Sequence, residues 1–158
     1  MSAFLFFRIS SAPFLFCQIA NTIIRMSDEK ELTDAQYIAA VSARESAVDS
    51  LLSKKDKKGA LIAALQSPPV ATKDMSIKDR NSAIVEKVIG AITDTEVQGL
   101  IDALDQDALD VLMKYLYRIM GKIDKSVNYA LLLKMHAIVS DKAGMGTIVR
   151  SLTERKQV

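Results

Sequence analysis

The chain has 158 residues, a quarter of them charged, with a formal net charge of +2, 6 glycines, 3 prolines, no tryptophan and one cysteine. That length suffices for one domain with a real core, and a single cysteine excludes an internal disulfide and fits a reducing compartment. Scarce aromatics beside abundant Ala, Leu, Ile and Val favour helices over sheet.

The totals hide a boundary. All five phenylalanines and Cys17 fall within residues 1–17, and residues 1–25 carry Arg8 and Arg25 but no acid. The remaining body holds 19 basic and 19 acidic residues. A neutral body gives no electrostatic reason to expect nucleic acid or an anionic membrane as partner. The apolar leader is broken by Arg8 and Pro13, whereas a membrane span wants roughly twenty largely uninterrupted apolar residues. The composition changes at Met26, where MSDEKEL reads as an ordinary cytosolic amino terminus. Three readings stay open for residues 1–25: an upstream extension outside the working protein, a targeting segment, or a membrane or partner contact.

Beyond this point helical spacing governs. Thr33 and Gln36 have capping-box spacing, and Tyr37, Ile38, Val41, Val48, Leu51 and Leu52 follow in a helix ending near Lys54. The run Lys54-Lys55-Asp56-Lys57-Lys58 reads as a solvated turn. A short helix over residues 59–66 ends at Pro68-Pro69, since proline excludes helical geometry from the residue before it. After a loop to about Ser76, Ile77, Ile84, Val85, Val88, Ile89 and Ile92 mark a helix ending near Thr93. Thr93 and Glu96 suggest a second capping box, followed by the stripe Val97, Leu100, Ile101 and Leu104.

Residues 107–121, DALDVLMKYLYRIMG, are apolar over most of a helical circumference. Such a helix is normally buried by neighbours on several sides, so it is predicted to be central, capped by Asp107 and ended by Gly121. Its polar residues Asp110, Lys114 and Arg118 are four apart and form one narrow stripe. A connection over 122–126, with Ser126 a candidate cap, leads to a helix from Asn128 to Lys142 with Leu131, Leu132, Met135, Ile138 and Val139 inward. Residues 143–146 form a break, and a last short helix carries Ile148, Val149 and Leu152. The expected fold is all-α: a compact, solenoid-like stack of about six to seven short antiparallel helices. Val48, Leu51 and Leu52 match Val97, Leu100 and Ile101 in spacing, a weak internal echo.

The inventory for chemistry is poor. The body's one histidine, His136, has no set of His, Cys or acidic partners at zinc spacing and no nucleophile beside it. Asp105, Asp107 and Asp110 lack the glycine and glutamate of a calcium loop and read as caps. Gly144-Met145-Gly146 lacks the preceding strand of a phosphate-binding motif and reads as a left-handed turn permitting close packing. No cofactor is expected. Candidate contact residues are the stripe Asp110, Lys114 and Arg118, the basic group Arg150, Arg155 and Lys156, and Tyr117 beside Tyr115, tyrosine being favoured at interfaces; solvation or core packing is the alternative for each.

Four stretches in order carry a family resemblance: ALIAALQSPPVATK (60–73), Lys78-Asp79-Arg80 with Ile84-Val85 and Lys87-Val88, DVLMKYLYR (110–118), and GTIVRSLTERKQV (146–158). Over about residues 58–158 the chain resembles the smallest subunit, subunit five, of the actin-nucleating Arp2/3 complex. The division that follows is a leader over 1–25, an amino-terminal arm and first helix over 26–57, and a core over 58–158. Ile119-Met120 delay the glycine that usually follows this family's Lys-Tyr-Leu/Ile-Tyr-Lys motif, and Met135 stands where the family commonly has tryptophan before the histidine. The family's long acidic arm is replaced by a shorter, helix-prone segment. The resemblance implies a non-catalytic, cytoplasmic subunit of the actin cytoskeleton. It would dock on subunit four, help hold the beta-propeller subunit (subunit 1), reach toward actin-related protein 2, and meet actin filaments indirectly. A free-standing helical-repeat adaptor binding peptides is the alternative from the residues alone; an enzyme using His136 is the weakest.

Overall fold

The computed structural model describes residues 33–122, 127–154 and 158. The leader, the start of the arm, Ser126, Arg155 and Lys156 lie outside the described residues. Seven helices follow one another among those described: α1 (Asp34–Ser53), α2 (Lys57–Leu65), α3 (Met75–Gly90), α4 (Val97–Asp102), α5 (Gln106–Met120), α6 (Tyr129–Ala143) and α7 (Met145–Thr153). No strand occurs among the described residues.

Local chemistry sets the helix ends. Thr33 caps α1, its N–H donating to Gln36 Oε1 at 3.0 Å, which is the capping box expected from the sequence. The lysine run is not one turn. Lys54 and Lys55 close α1, Asp56 accepts from Gly59 N–H at 2.9 Å, and Lys57 and Lys58 already belong to α2. A side-chain cap satisfies an amide the helix cannot. Asp74 caps α3, which ends at Gly90, short of the predicted Thr93. The cap of α5 is Asp105, accepting from Ala108 N–H at 2.9 Å; Asp107 lies in the first turn. There its charge favours the helix dipole without capping it. Asn128 caps α6 by accepting from Leu131 N–H at 3.2 Å. Gly144 separates α6 from α7 with φ +77°, a conformation that favours glycine.

The predicted central helix is central. α5 packs against α2, α3, α6 and α7, and Leu109, Leu112, Met113, Tyr115, Leu116 and Ile119 are buried along it. The core continues through Val41 and Val48, Ala60 and Leu61, Val85 and Val88, Val97 and Ile101, and Leu132, Met135 and Val139.

Bonds between helices follow a register. Asp34–Thr72, Arg44–Asn81 and Asp49–Lys87 link α1 to α3 and the loop before it, at separations of 38, 37 and 38 residues. Lys134 donates to the Asp94 carbonyl and Lys142 to the Ile101 carbonyl, at separations of 40 and 41. Asp110–Arg150 and Lys114–Glu154 tie α5 to α7, both at 40. Residue number rises together on both partners, so α1 and α3, α4 and α6, and α5 and α7 run parallel. That is the geometry of a helical repeat of roughly 40 residues. The Val48–Val97 echo lies off this spacing.

Candidate interaction surface

Periodicity places Asp110, Lys114 and Arg118 on one edge of α5, and the fold lays α7 and Val158 along that edge. Arg150 Nε and Nη2 donate to Asp110 Oδ2 and Oδ1 at 2.7 and 2.8 Å. This two-point geometry suits a planar guanidinium, and it is the first cause holding the Asp110 carboxyl below its ordinary range. Lys114 pairs with Glu154. Arg118 donates to the main-chain oxygen of Val158 at 2.5 Å and to Asp79 at 2.8 Å. The bonded partners, 110 with 150, 114 with 154 and 118 with 158, form a ladder in one register. Its lower end is drawn into the molecule: Val158 is buried, and the Arg118 Nε is buried without a hydrogen bond. Thr147 joins its upper end, accepting from Gln106 at 3.3 Å and Arg150 at 3.2 Å, and is fully buried. Nothing in its sequence neighbourhood marks this threonine as the hub of the seam.

Tyr117, half-buried, meets His136. The hydroxyl lies 3.1 Å from Nε2, and the rings are edge-to-face with centroids 5.5 Å apart. Both side chains are thus occupied in joining α5 to α6. Among the described residues, no group of three or more His, Cys, Asp or Glu side chains is placed to hold a metal ion, and no helix is long and apolar enough to cross a membrane.

A second polar chain went unread in the sequence. Arg44 on α1 donates to the Asn81 side-chain oxygen, and Asn81 Nδ2 donates to Tyr115 Oη at 2.5 Å. Asn81 and Tyr115 are fully buried, and burial pushes the Tyr115 phenol up to about 12. Arg44 also donates to the Ser67 carbonyl at 2.9 Å. It thereby holds the turn in which Ser67 takes φ +44° before Pro68, a conformation costly for a residue with a Cβ.

The outer side of α7 completes the surface. Met145, Val149 and Leu152, spaced i, i+4 and i+7, are 76, 55 and 67% exposed. Of the apolar residues expected to anchor this helix, only Ile148 packs partly against the core. The inward side is the polar one, because the ladder claims it.

A family model described as "ARP2/3 complex 16 kDa subunit (p16-Arc)" matches residues 20–158. The chain is 38% identical to actin-related protein 2/3 complex subunit 5 of Dictyostelium discoideum over 126 residues, covering 80% of this chain and 89% of that protein. It is 37% identical to the human subunit 5-like protein over 136 residues, covering 83% and 88%. It is 38% identical to subunit 5-C of Xenopus laevis over 132 residues, covering 83% and 84%. The match spans the helical core, the seam and the exposed helix alike, and on that extent the chain belongs to the Arp2/3 complex 16 kDa subunit (p16-Arc) family.

Proposed function

We propose that the chain is a non-catalytic structural subunit of the Arp2/3 complex, supporting its assembly and hence the nucleation of branched actin filaments in the cytoplasm. The observation that carries this reading is the family match along residues 20–158. The fold suits the role. A neutral helical stack whose elements are joined by six ion pairs among the described residues can keep its shape while partners hold its surface.

Within the complex, the family resemblance supports docking on subunit 4, contact with the beta-propeller subunit 1, and a reach toward actin-related protein 2. Residues 34–53 are helical and packed on the core; the reach toward actin-related protein 2 is proposed for the amino-terminal arm. Asp110, Lys114, Tyr117 and Arg118 act by fixing the shape of the contact surface from within. Arg150 supplies part of its polar border; Arg155 and Lys156, outside the described residues, are proposed as partner contacts from the sequence alone.

Purification of the tagged full chain from its own cells tests the reading. The expected result is stoichiometric recovery of the actin-related proteins and the other subunits, with chemical cross-links to subunit 4 and subunit 1. Recovery of the chain alone, or with unrelated peptide ligands, favours the free adaptor and contradicts it.

A further inference from the structure

We infer that the outward stripe of α7, Met145, Val149 and Leu152, is the apolar centre of a contact with a neighbouring subunit of the complex, one that offers an uncharged apolar helix or groove; this rests on the subunit reading above.

The orientation of α7 is the first argument. An amphipathic helix on a folded domain ordinarily turns its apolar side to the core. Here Thr147 is the only fully buried residue of the helix and Ile148 packs partly against the core, while Met145, Val149 and Leu152 face outward. The polar ladder holds it that way through Arg150 to Asp110 and Glu154 to Lys114. The arrangement is also stripped of competing polarity. Ser151 Oγ donates to the Thr147 carbonyl at 2.7 Å and Thr153 Oγ1 to the Val149 carbonyl at 2.8 Å. The one charged residue within the helix, Arg150, is turned to Asp110. Interface centres are depleted in charge in this way while their rims stay polar.

The occupant follows from size and charge. From Met145 to Leu152 the stripe runs only about 10 Å along the helix. A stable dimer buries roughly 800 Å² per partner, so the stripe alone is too small to hold two copies together. It fits the middle of a broader contact that draws further surface from both partners. An interfacial membrane helix carries Lys and Arg on its polar face, whereas this helix carries one arginine and that one is paired. The relatives named above are subunits of a complex of different proteins, which supplies such a neighbour.

The test compares full-length tagged wild type, Leu152→Gln, Val149→Gln/Leu152→Gln and Val149→Ile/Leu152→Met, expressed in the protein's own cells. Because the replaced side chains are exposed, the thermal midpoints of all four should agree within about 3 °C. The expected result is that wild type and the Ile/Met variant recover the complex. Leu152→Gln should recover less, and the double Gln variant at least about tenfold less, as for loss of a buried anchor. Equal recovery by wild type and the double Gln variant overturns the proposal. In that case light scattering showing loss of a dimer would assign the stripe to a second copy, and cross-links to residues 1–32 would assign it to the chain's own amino-terminal segment. Failure of wild type itself to recover the complex overturns the subunit reading and this proposal with it.

Discussion

Tyr115 and Asn81 are fully buried, and the Tyr115 hydroxyl is the acceptor for Asn81 Nδ2. Removing that oxygen strands a buried donor, which costs more than an average hydrogen bond contributes. Tyr115→Phe should therefore destabilise the fold by about 1–3 kcal/mol in urea unfolding; an unchanged midpoint would show that the Arg44–Asn81–Tyr115 chain does not anchor α1. Glu96 gives a pH prediction. Lys57 first, then Thr93, hold its carboxyl down to about 2 from an ordinary 4.5. A depressed folded value means the unfolded chain binds the proton first, so stability is present above pH 4.5 and is lost as pH falls toward 2. Glu96→Gln should flatten the fall of the thermal midpoint across that window; an equally steep fall would remove Glu96 as a contributor. At this scale the sequence was partly legible. The capping box at Thr33 is a local pattern with fixed spacing and carries the expected Thr N–H to Gln36 bond; at Thr93 the Thr N–H also donates to Glu96, but it closes a turn, because α4 begins only at Val97 with Glu96 at its N-cap. Asp105 and Asp107 are chemically alike, and only the backbone decides which of them caps. Arg44 and Asn81 are 37 residues apart, beyond any local signal.

Among the elements, α5 and α7 mark the two limits of reading by periodicity. α5 is apolar over most of its circumference, so its burial follows whichever way it is turned. α7 is amphipathic, and its spacing tells which residues share a side without telling which side meets the core. The answer came from Asp110, Lys114 and Arg118: a polar stripe on a buried helix needs polar partners, and α7 turns its own polar side inward to supply them. A pair of truncations reads this difference. Leu116→Ala, at a fully buried position of α5, should cost about 2–5 kcal/mol. Leu152→Ala on the outward side of α7 should stay within about 0.5 kcal/mol of wild type in the isolated chain. Comparable losses would mean that the outward stripe already packs against something in the chain itself. Arg118→Met tests the ladder. It should raise hydrogen–deuterium exchange in α7 and leave α1 unchanged; uniform exchange along both helices would contradict a local clamp.

For the whole molecule, the roughly 40-residue register joins side chains that no short window can pair. The all-helical class and the order of helices were legible because each helix carries its own 3.6-residue pattern. The repeat was not, because it resides in polar pairs such as Asp49–Lys87, Lys134–Asp94 and Arg150–Asp110, while the apolar echo between Val48 and Val97 lies elsewhere. A stack of this kind contributes shape and an extended surface to an assembly. The most direct test of that claim is the native size of the untagged endogenous chain, read by gel filtration of a gentle cell extract with mass spectrometry of each fraction. The account predicts that the chain elutes with the actin-related proteins and the other complex subunits, with no substantial pool at the size of the free chain. A chain found chiefly alone at that size, while the complex elutes complete without it, would contradict the account.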